Sequence, residues 1–386
     1  MGLFVDLLHV PESVTNDALE GIYKALSDGG HDHGDDGIWK PHDSILIQRL
    51  IELFTKRGLD RLDAVHTQFL AWQAGEFHKP AASPVPPPPG AMQRWTPAEL
   101  ALAKLYLESL PPAVWTLEDH MIAIELVVQT YLPPEAMVTE ADWLTTKAAM
   151  MGKVQANLQD ADNLKPQQAD AILAALPSSF AEALPLSPTA SAVLQFAQAR
   201  AVENVRALTE SVRHRMRAVV TADLEQRMLG NVPAGTSSLQ TKLMDEFATL
   251  NRDWRRIAIT EAGEAQTQGF IATVTPGQKV KRVERYKGAC SFCRKIDGAI
   301  ATVVRADHPD KNPDTMVWPG KNNIGRSASP RKRVGDVLVE REPDEMWWLP
   351  AGLAHPHCRG RWVPTIEERP GDDPVFADQL RAILGG

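Results

Sequence analysis

The segment Cys290-Ser-Phe-Cys293-Arg-Lys-Ile-Asp297-Gly298 carries two of the chain's three cysteines, and His355-Pro-His-Cys358 carries the third. Each segment holds two metal-binding side chains at positions i and i+3, and His355 follows Cys293 by 62 positions. Two thiolates at this spacing across a tight turn can bind one tetrahedral metal ion. The two pairs together predict a Cys3His metal site.

A site whose four positions are all filled by protein side chains is structural and not catalytic. Zinc is the default ion for thiolate-rich tetrahedral ligation, so we predict a structural Zn²⁺ held by Cys290, Cys293, His355 and Cys358. The spacing leaves alternatives open. The cysteines can also be inert buried thiols, whereas a redox pair is disfavoured because no thioredoxin-like βαβ pattern precedes Cys290. His357 stays open as the nitrogen ligand, although it requires a more awkward turn than His355.

Around these segments the sequence is typical of a small α+β module. Short runs with β-branched residues occupy 279–287, 299–304 and 336–341, and long polar loops separate them. We predict an α+β fold in which a mostly α-helical N-terminal two thirds precedes a small metal-stapled α+β C-terminal module. We also expect Asp297 and Gly298 to make the turn after the cysteine pair, because glycine tolerates positive φ.

The preceding region is predicted to be helical almost throughout. Thr96-Pro97-Ala98-Glu99 is a capping box with proline at the first helical position, and Thr116 and Thr139 repeat the start signal. Apolar residues recur at helical spacing over 189–229 and 236–270, which indicates two long amphipathic helices.

Four consecutive prolines within 80–94 exclude a helix interior or a central strand, so this segment is predicted to be a linker. This linker and the change from helix-like to strand-like sequence after residue 276 divide the chain into predicted domains. These are a small helical domain at 1–79, the Pro-rich linker at 80–94, a helical domain at 95–235, an α+β metal-binding domain at 236–366 and a C-terminal tail at 367–386.

Charge is distributed unevenly along the chain. Residues 250–362 hold 20 Lys and Arg against 13 Asp and Glu, a net of +7, whereas the other residues hold 21 against 36, a net of −15. A basic module on an acidic body suggests an anionic partner, although a solvated basic face explains the pattern equally well. The residues predicted to contact nucleic acid or another partner are Lys279, Lys281, Arg282, Arg285, Arg331, Lys332 and Arg333.

Signals for other functions are weak in this sequence. No His-x-Glu precedes Cys290, and no phosphate-binding loop or nucleophile elbow is present, so we do not expect an enzyme. No apolar run has membrane-spanning length and no basic leader is present, which predicts a soluble protein without a membrane partner. Residues 31–37 partly fit a calcium loop but are more typical of a polar inter-helix loop.

The order of motifs in 252–362 resembles the Mu F-like domain of phage head-morphogenesis proteins, which are minor capsid proteins. The matching features are Arg255-Arg256-Ile-Ala-Ile-Thr260-Glu261, the Cys290 segment and His355-Pro-His-Cys358-Arg359. His357 stands where the family usually has Asn, and Gly360 stands where a further Cys is common. The resemblance implies association with the portal protein in the procapsid, and in some members entry into the cell with the DNA.

We therefore predict a structural and assembly protein of a phage or prophage head. The expected partners are the portal protein, other head proteins and packaged DNA, and the expected location is the virion or procapsid, assembled in the host cytoplasm. The alternative prediction is a zinc-dependent nucleic-acid-binding protein that is not part of a virion.

Overall fold

The computed structural model describes residues 42–80, 83–158, 161–230, 239–284, 286, 288–365 and 373–385. The loop predicted at 31–37 and the predicted contact residue Arg285 lie outside the described residues. The described part is mostly helical, with a small mixed sheet near its C-terminal end, which confirms the predicted α+β class.

Long helices account for most of the described chain before residue 274. The α-helices are α1 (Ile45–Gln73), α2 (Pro97–Ser109), α3 (Leu117–Tyr131), α4 (Pro134–Asn157), α5 (Pro166–Ala175), α6 (Phe180–Ala183), α7 (Pro188–Met228), α8 (Leu239–Thr273), α9 (Ser291–Ile296) and α10 (Pro374–Gly385). The two stripes predicted over 189–229 and 236–270 correspond to α7 and α8.

Two of the three predicted helix starts are confirmed. Thr96 and Thr116 each cap a helix through a reciprocal capping box, which satisfies backbone N–H groups that have no partner inside the helix. The third start, at Thr139, is wrong because α4 already begins at Pro134. A proline at the first helical position loses no hydrogen bond, so Pro134 can begin this helix.

The predicted linker contains no helix or strand in its described part, 83–94. Its end is nevertheless fastened to neighbouring helices. Ala91 is buried, its N–H donates to Glu118, and its carbonyl accepts from Arg217. Pro88 and Ala91 are thus buried anchor points within a segment whose other residues are mostly exposed.

Contact density divides the chain into two compact units, each made of separate segments. The first comprises 1–54, 139–204 and 255–386, and the second comprises 55–138 and 205–254. This division differs in kind from the sequential domains predicted above, whose boundaries remain predictions. The candidate site belongs to the first unit.

The sheet of the first unit has four strands in the order β3-β2-β1-β6. Strand β1 (Lys279–Val283) lies antiparallel to both β2 (Ile300–Val303) and β6 (Arg361–Pro364), and β3 (Met316–Val317) runs parallel to β2. Pairing β1 with β6 opposes Arg282 to Trp362 and draws the two motif-bearing segments to the same part of the sheet.

A separate hairpin joins β4 (Arg331–Val334) to β5 (Val337–Glu340), with Gly335 at positive φ in its turn. The runs predicted at 279–287, 299–304 and 336–341 correspond to β1, β2 and β5. Within the described ranges, no helix is long and apolar enough to cross a membrane.

Helices α4 and α8 of the first unit cross at a point where neither has room for a side chain. A Cβ on Gly152 would lie 2.3 Å from the backbone oxygen of Gln266, and one on Gly269 would lie 2.4 Å from that of Ala149. The crossing sets α8 close to α4, and the end of α8 in turn packs against the sheet through Phe270.

Candidate metal centre

The side chains of Cys290, Cys293, His355 and Cys358 converge in the core of the first unit, and we call these four residues the candidate metal centre. His355 Nε2 lies 3.3 Å from Cys290 Sγ and 3.2 Å from Cys293 Sγ. The Sγ atoms of Cys293 and Cys358 are 3.8 Å apart. Cys290, Cys293 and His355 thus lie within reach of one ion, and Cys358 joins them through its contact with Cys293.

These separations agree with tetrahedral ligation. Bond lengths of about 2.3 Å for Zn–S and about 2.0–2.1 Å for Zn–N place neighbouring ligand atoms about 3.8 Å (S to S) and about 3.6 Å (S to N) apart. The sulfur–sulfur distance matches this expectation, and the sulfur–nitrogen distances are a few tenths of an ångström shorter. The four residues therefore form a candidate metal-binding site whose positions all come from the chain.

The cysteine pair owes its geometry to a short helix. Cys290 is the N-cap of α9, and its Sγ accepts a hydrogen bond of 3.4 Å from the N–H of Cys293. This bond orients both sulfurs toward the same point and favours the thiolate form of Cys290. After α9, Gly298 adopts a φ of 81°, as predicted for the turn following the pair.

The second pair lies on a turn that distinguishes the two histidines. Cys358 donates its N–H to the carbonyl of His355, and His357 between them has a φ of 65°. Asn and His are among the non-glycine residues that most often adopt this left-handed conformation, which explains why either can stand at position 357. His355, and not His357, has a ring nitrogen among the thiols.

Helix α8 holds the loops of this module through one polar stripe. Thr260, Glu264 and Gln268 follow one another at four-residue intervals, so they lie on the same helix face. Thr260 Oγ1 accepts from the N–H of His357 at 3.1 Å, and a Glu264 carboxylate oxygen accepts from the N–H of Leu353 at 2.5 Å. Gln268 accepts from Gly320 at 2.9 Å. The stripe thereby positions the ligand-bearing turn.

Two charged residues beside the cysteines were not predicted as part of the site. Arg282 is fully buried, donates to Glu284 at 2.7 Å, and places Nη2 3.9 Å from Cys358 Sγ. Glu284 lies 3.4 Å from the same sulfur and forms a second candidate ligand group with Cys293 and Cys358. A Cβ on Gly360 would come within 1.9 Å of this carboxylate, so glycine there leaves space for Glu284.

The environment of the site shifts the ionisation of its members. Burial raises the pKa of Glu284, the charge of Arg282 opposes this and the nearby Cys358 adds to it, which leaves the pKa at about 8. The hydrogen bond with Cys293 lowers the pKa of Cys290 to about 3, despite partial burial. For His355, burial lowers the pKa but contact with Cys290 and Cys358 outweighs it, and the pKa rises to about 9.

A Cys3His site with a divalent ion carries one excess negative charge, since three thiolates outweigh the ion and the imidazole is neutral. Arg282 is placed to balance that charge from inside the core. Glu284 in its protonated form adds no further charge, and it can donate a hydrogen bond to the Cys358 sulfur. The site therefore has a buried counter-charge, and the only sequence signal for it was the position of Arg282 in a basic strand.

The residues predicted to contact a partner separate into two groups. Arg331 and Arg333 are exposed on the β4–β5 hairpin, and Lys279 is exposed at the start of β1. Arg282 belongs to the core and is not on that surface, which corrects its prediction as a contact residue. Lys281 is half-buried on β1, and Lys332 pairs with Glu345.

The chain matches no protein-family model, no curated protein and no solved structure. Its function is therefore inferred from the arrangement of its own residues and from the resemblance of its motifs.

Proposed function

We propose that the candidate metal centre binds one structural zinc ion that orders the C-terminal module. The observation that carries this proposal is the convergence of four ligand atoms from two segments 62 positions apart. Three thiolates and one imidazole suit zinc better than a harder ion such as Mg²⁺ or Ca²⁺. All four ligand positions come from protein, which supports a structural role and not a catalytic one.

The metal content of the purified full-length chain tests this proposal. We expect one zinc per chain by elemental analysis, and an intense sulfur-to-metal absorption band after replacement by cobalt. Cys293→Ser should abolish stoichiometric metal because Cys293 contacts both His355 and Cys358. Ser291→Ala, at an exposed position of the same turn, is the matched control and should retain it. A Cys293→Ser chain with a full complement of zinc would contradict the proposal.

At the level of the whole protein, we propose a structural and assembly role in a phage or prophage head, as a minor capsid protein associated with the portal or the capsid interior. The support is the order of the Arg255–Glu261 helix segment, the Cys290 pair and the His355 pair, which resembles the Mu F-like domain. Two of these motifs also touch each other. Thr260 of the helix segment accepts a hydrogen bond from the N–H of His357, on the turn that carries the last two ligands.

Sedimentation of an induced lysate on a density gradient tests the assembly role. The chain should migrate with procapsids or filled heads, and Ser291→Ala should migrate with it. Cys293→Ser should remain among free proteins, because a disordered module has no fixed surface for assembly. A wild-type chain found solely among free proteins, in a lysate that contains heads, would contradict the assembly role while leaving the zinc proposal intact.

A second candidate function is zinc-dependent binding to nucleic acid outside a virion. It is favoured by the exposure of Arg331 and Arg333 on the β4–β5 hairpin. Binding of duplex DNA by the full-length chain should then weaken steeply with salt, since each neutralised phosphate releases counterions. Replacing both arginines by glutamine should reduce the slope of log K against log salt concentration by about 2, one for each lost phosphate contact. A flat salt response would remove this candidate.

A further inference from the structure

A large cavity lies beside the candidate metal centre, on the side of the His355 ring. Its volume is about 1230 Å³, above the usual range of about 300–1,000 Å³ for small-molecule sites. Faces of α7 and α8, the start of α9 and the loops 322–329 and 353–357 line it, all within the first unit. The cavity thus has helices on one wall and irregular backbone on the other.

Positive charge predominates among the described residues that line this cavity. The cationic side chains are Arg200, Lys295, Arg326 and Arg341, and the carboxylates are Glu261 and Glu264. The four cations thus outnumber the two carboxylates. The lining therefore favours an anion over a cation.

The carboxylates already have donors inside the protein. Glu261 accepts from Arg200 and Asn204, each at 2.9 Å. Glu264 accepts from the N–H of Leu353 and from Gln268. These two groups consequently offer little free acceptor capacity to a ligand.

Each of two arginines in the lining has one nitrogen without an acceptor. Within the described ranges, Arg200 Nη2 and Arg341 Nε are buried and have no hydrogen-bond partner, although Arg200 Nε pairs with Glu261. Buried donors without an acceptor are costly, of order 1–3 kcal/mol each, so water or a bound acceptor is expected to complete them. An oxyanion is an acceptor that suits charged donors of this kind.

Aromatic side chains also line the cavity. Trp347 stacks on His355 with ring centroids 5.4 Å apart and meets Phe292 edge-on at 5.2 Å. Both Trp347 and Phe292 line the cavity and are only partly buried. Aromatic side chains and charged donors in one cavity suit a ligand with a planar group and an anionic group.

We propose that this cavity binds a phosphorylated small molecule of about nucleotide size. Arg200 and Arg341 hold the phosphate group, and Lys295 attracts it from the exposed rim. The site is separate in function from the zinc ion, since it requires no metal–ligand bond. It goes beyond the assembly role proposed above and can hold whether or not the chain belongs to a virion.

Calorimetric titration of the full-length chain tests the proposal, with adenosine monophosphate, adenosine and inorganic phosphate as probes. We expect saturable binding of adenosine monophosphate, and binding of adenosine at least about tenfold weaker, because charge-assisted hydrogen bonds to the phosphate are lost. If inorganic phosphate binds as tightly as the nucleotide, the phosphate site is supported but the aromatic side chains contribute nothing to binding. Zinc measured in the same samples separates loss of this site from loss of the metal.

Two variants and one control locate the site. Arg341→Gln should weaken binding of adenosine monophosphate by about tenfold or more, and Lys295→Gln, at an exposed position that leaves the core intact, should weaken it severalfold. Arg305→Gln removes an exposed arginine outside the cavity lining and should change nothing. Failure of both phosphate-bearing probes to bind would overturn the proposal. Equal losses in Lys295→Gln and Arg305→Gln would also overturn it, because binding would then follow net charge.

Discussion

Replacing Arg282 by Met is expected to destabilise the C-terminal module strongly, although both side chains are long and flexible. Arg282 is fully buried on β1 and donates to Glu284 at 2.7 Å and to the carbonyl of Gly352 at 2.9 Å. Methionine fills similar space but supplies neither donor nor charge. Glu284, the Gly352 carbonyl and the Cys358 thiolate would all lose their buried partner.

The magnitude follows from what remains behind. Removing one partner of a buried ion pair costs about 3–5 kcal/mol, because the other charge stays buried without compensation. The pKa of Glu284 already lies at about 8 with Arg282 present, and without Arg282 the carboxyl would stay protonated, which limits the loss to the lower part of that range. Against a usual total of about 5–15 kcal/mol for a native protein, about 3 kcal/mol is a large fraction.

A double variant separates the ion pair from the rest of the loss. In Arg282→Met with Glu284→Leu, both members of the pair leave the core, and such replacements are often neutral or stabilising. The Gly352 carbonyl still lacks a donor, which costs about 1–3 kcal/mol. The double variant should therefore be more stable than Arg282→Met alone. With Glu284→Leu measured as the second single variant, the coupling between the two residues is the loss in the double variant minus the sum of the two single losses.

Urea unfolding, followed by tryptophan fluorescence and by metal content, measures these free energies of unfolding. Lys279→Met is the matched control, since Lys279 is exposed on the same strand, and its effect should stay within about 0.5 kcal/mol. The reasoning is refuted if Arg282→Met unfolds like the control. It is refuted equally if the two single losses simply add in the double variant.

Four further variants test the fold and the ligand assignment. Gly152→Ala should lower the free energy of unfolding by about 2 kcal/mol, because overpacking against the backbone of α8 exceeds the gain in helix propensity of about 1 kcal/mol; thermal or urea unfolding measures the loss. Asp223→Asn should cost about 1 kcal/mol at neutral pH, where the carboxylate pairs with Lys242, and nothing in acid, as unfolding at several pH values will show. His355→Ala should abolish stoichiometric zinc, whereas His357→Asn should retain it, both by elemental analysis.

Gly263→Ala, on α8, is the control for Gly152→Ala on α4. The nearest neighbours of its new Cβ would be the methyl groups of Leu353 at 3.2 Å, which can shift, so the variant should be nearly neutral. Equal losses at 152 and 263 would contradict the crossing. The pKa of Asp223 is lowered in the folded state by Lys242 and Arg227, whose pull exceeds the opposing effect of burial. Its stabilisation is therefore present above the unfolded pKa of about 4 and lost as the pH falls. An Asp223→Asn defect that persists in acid would exclude the charge as its cause.

The sequence alone determined the features that depend on neighbours along the chain. The spacing of Cys290 and Cys293 predicted a shared ligand position, since one tight turn fixes both side chains. The capping boxes at Thr96 and Thr116 and the stripes of α7 and α8 were readable for the same reason. Thr139 was misread because its signal matches a true N-cap locally, while Pro134 had already begun the helix.

The tertiary structure decided what depends on segments far apart in the chain. It brings His355 to the cysteines and directs Thr260 to the backbone of His357, because α8 is held against the ligand loop by contacts that no local pattern encodes. It also turns Arg282 from an expected surface contact into the buried partner of Glu284. Alternation along β1 puts Arg282 on the same buried face as Val280, but a charge is stable there only because the fold supplies Glu284 as its partner.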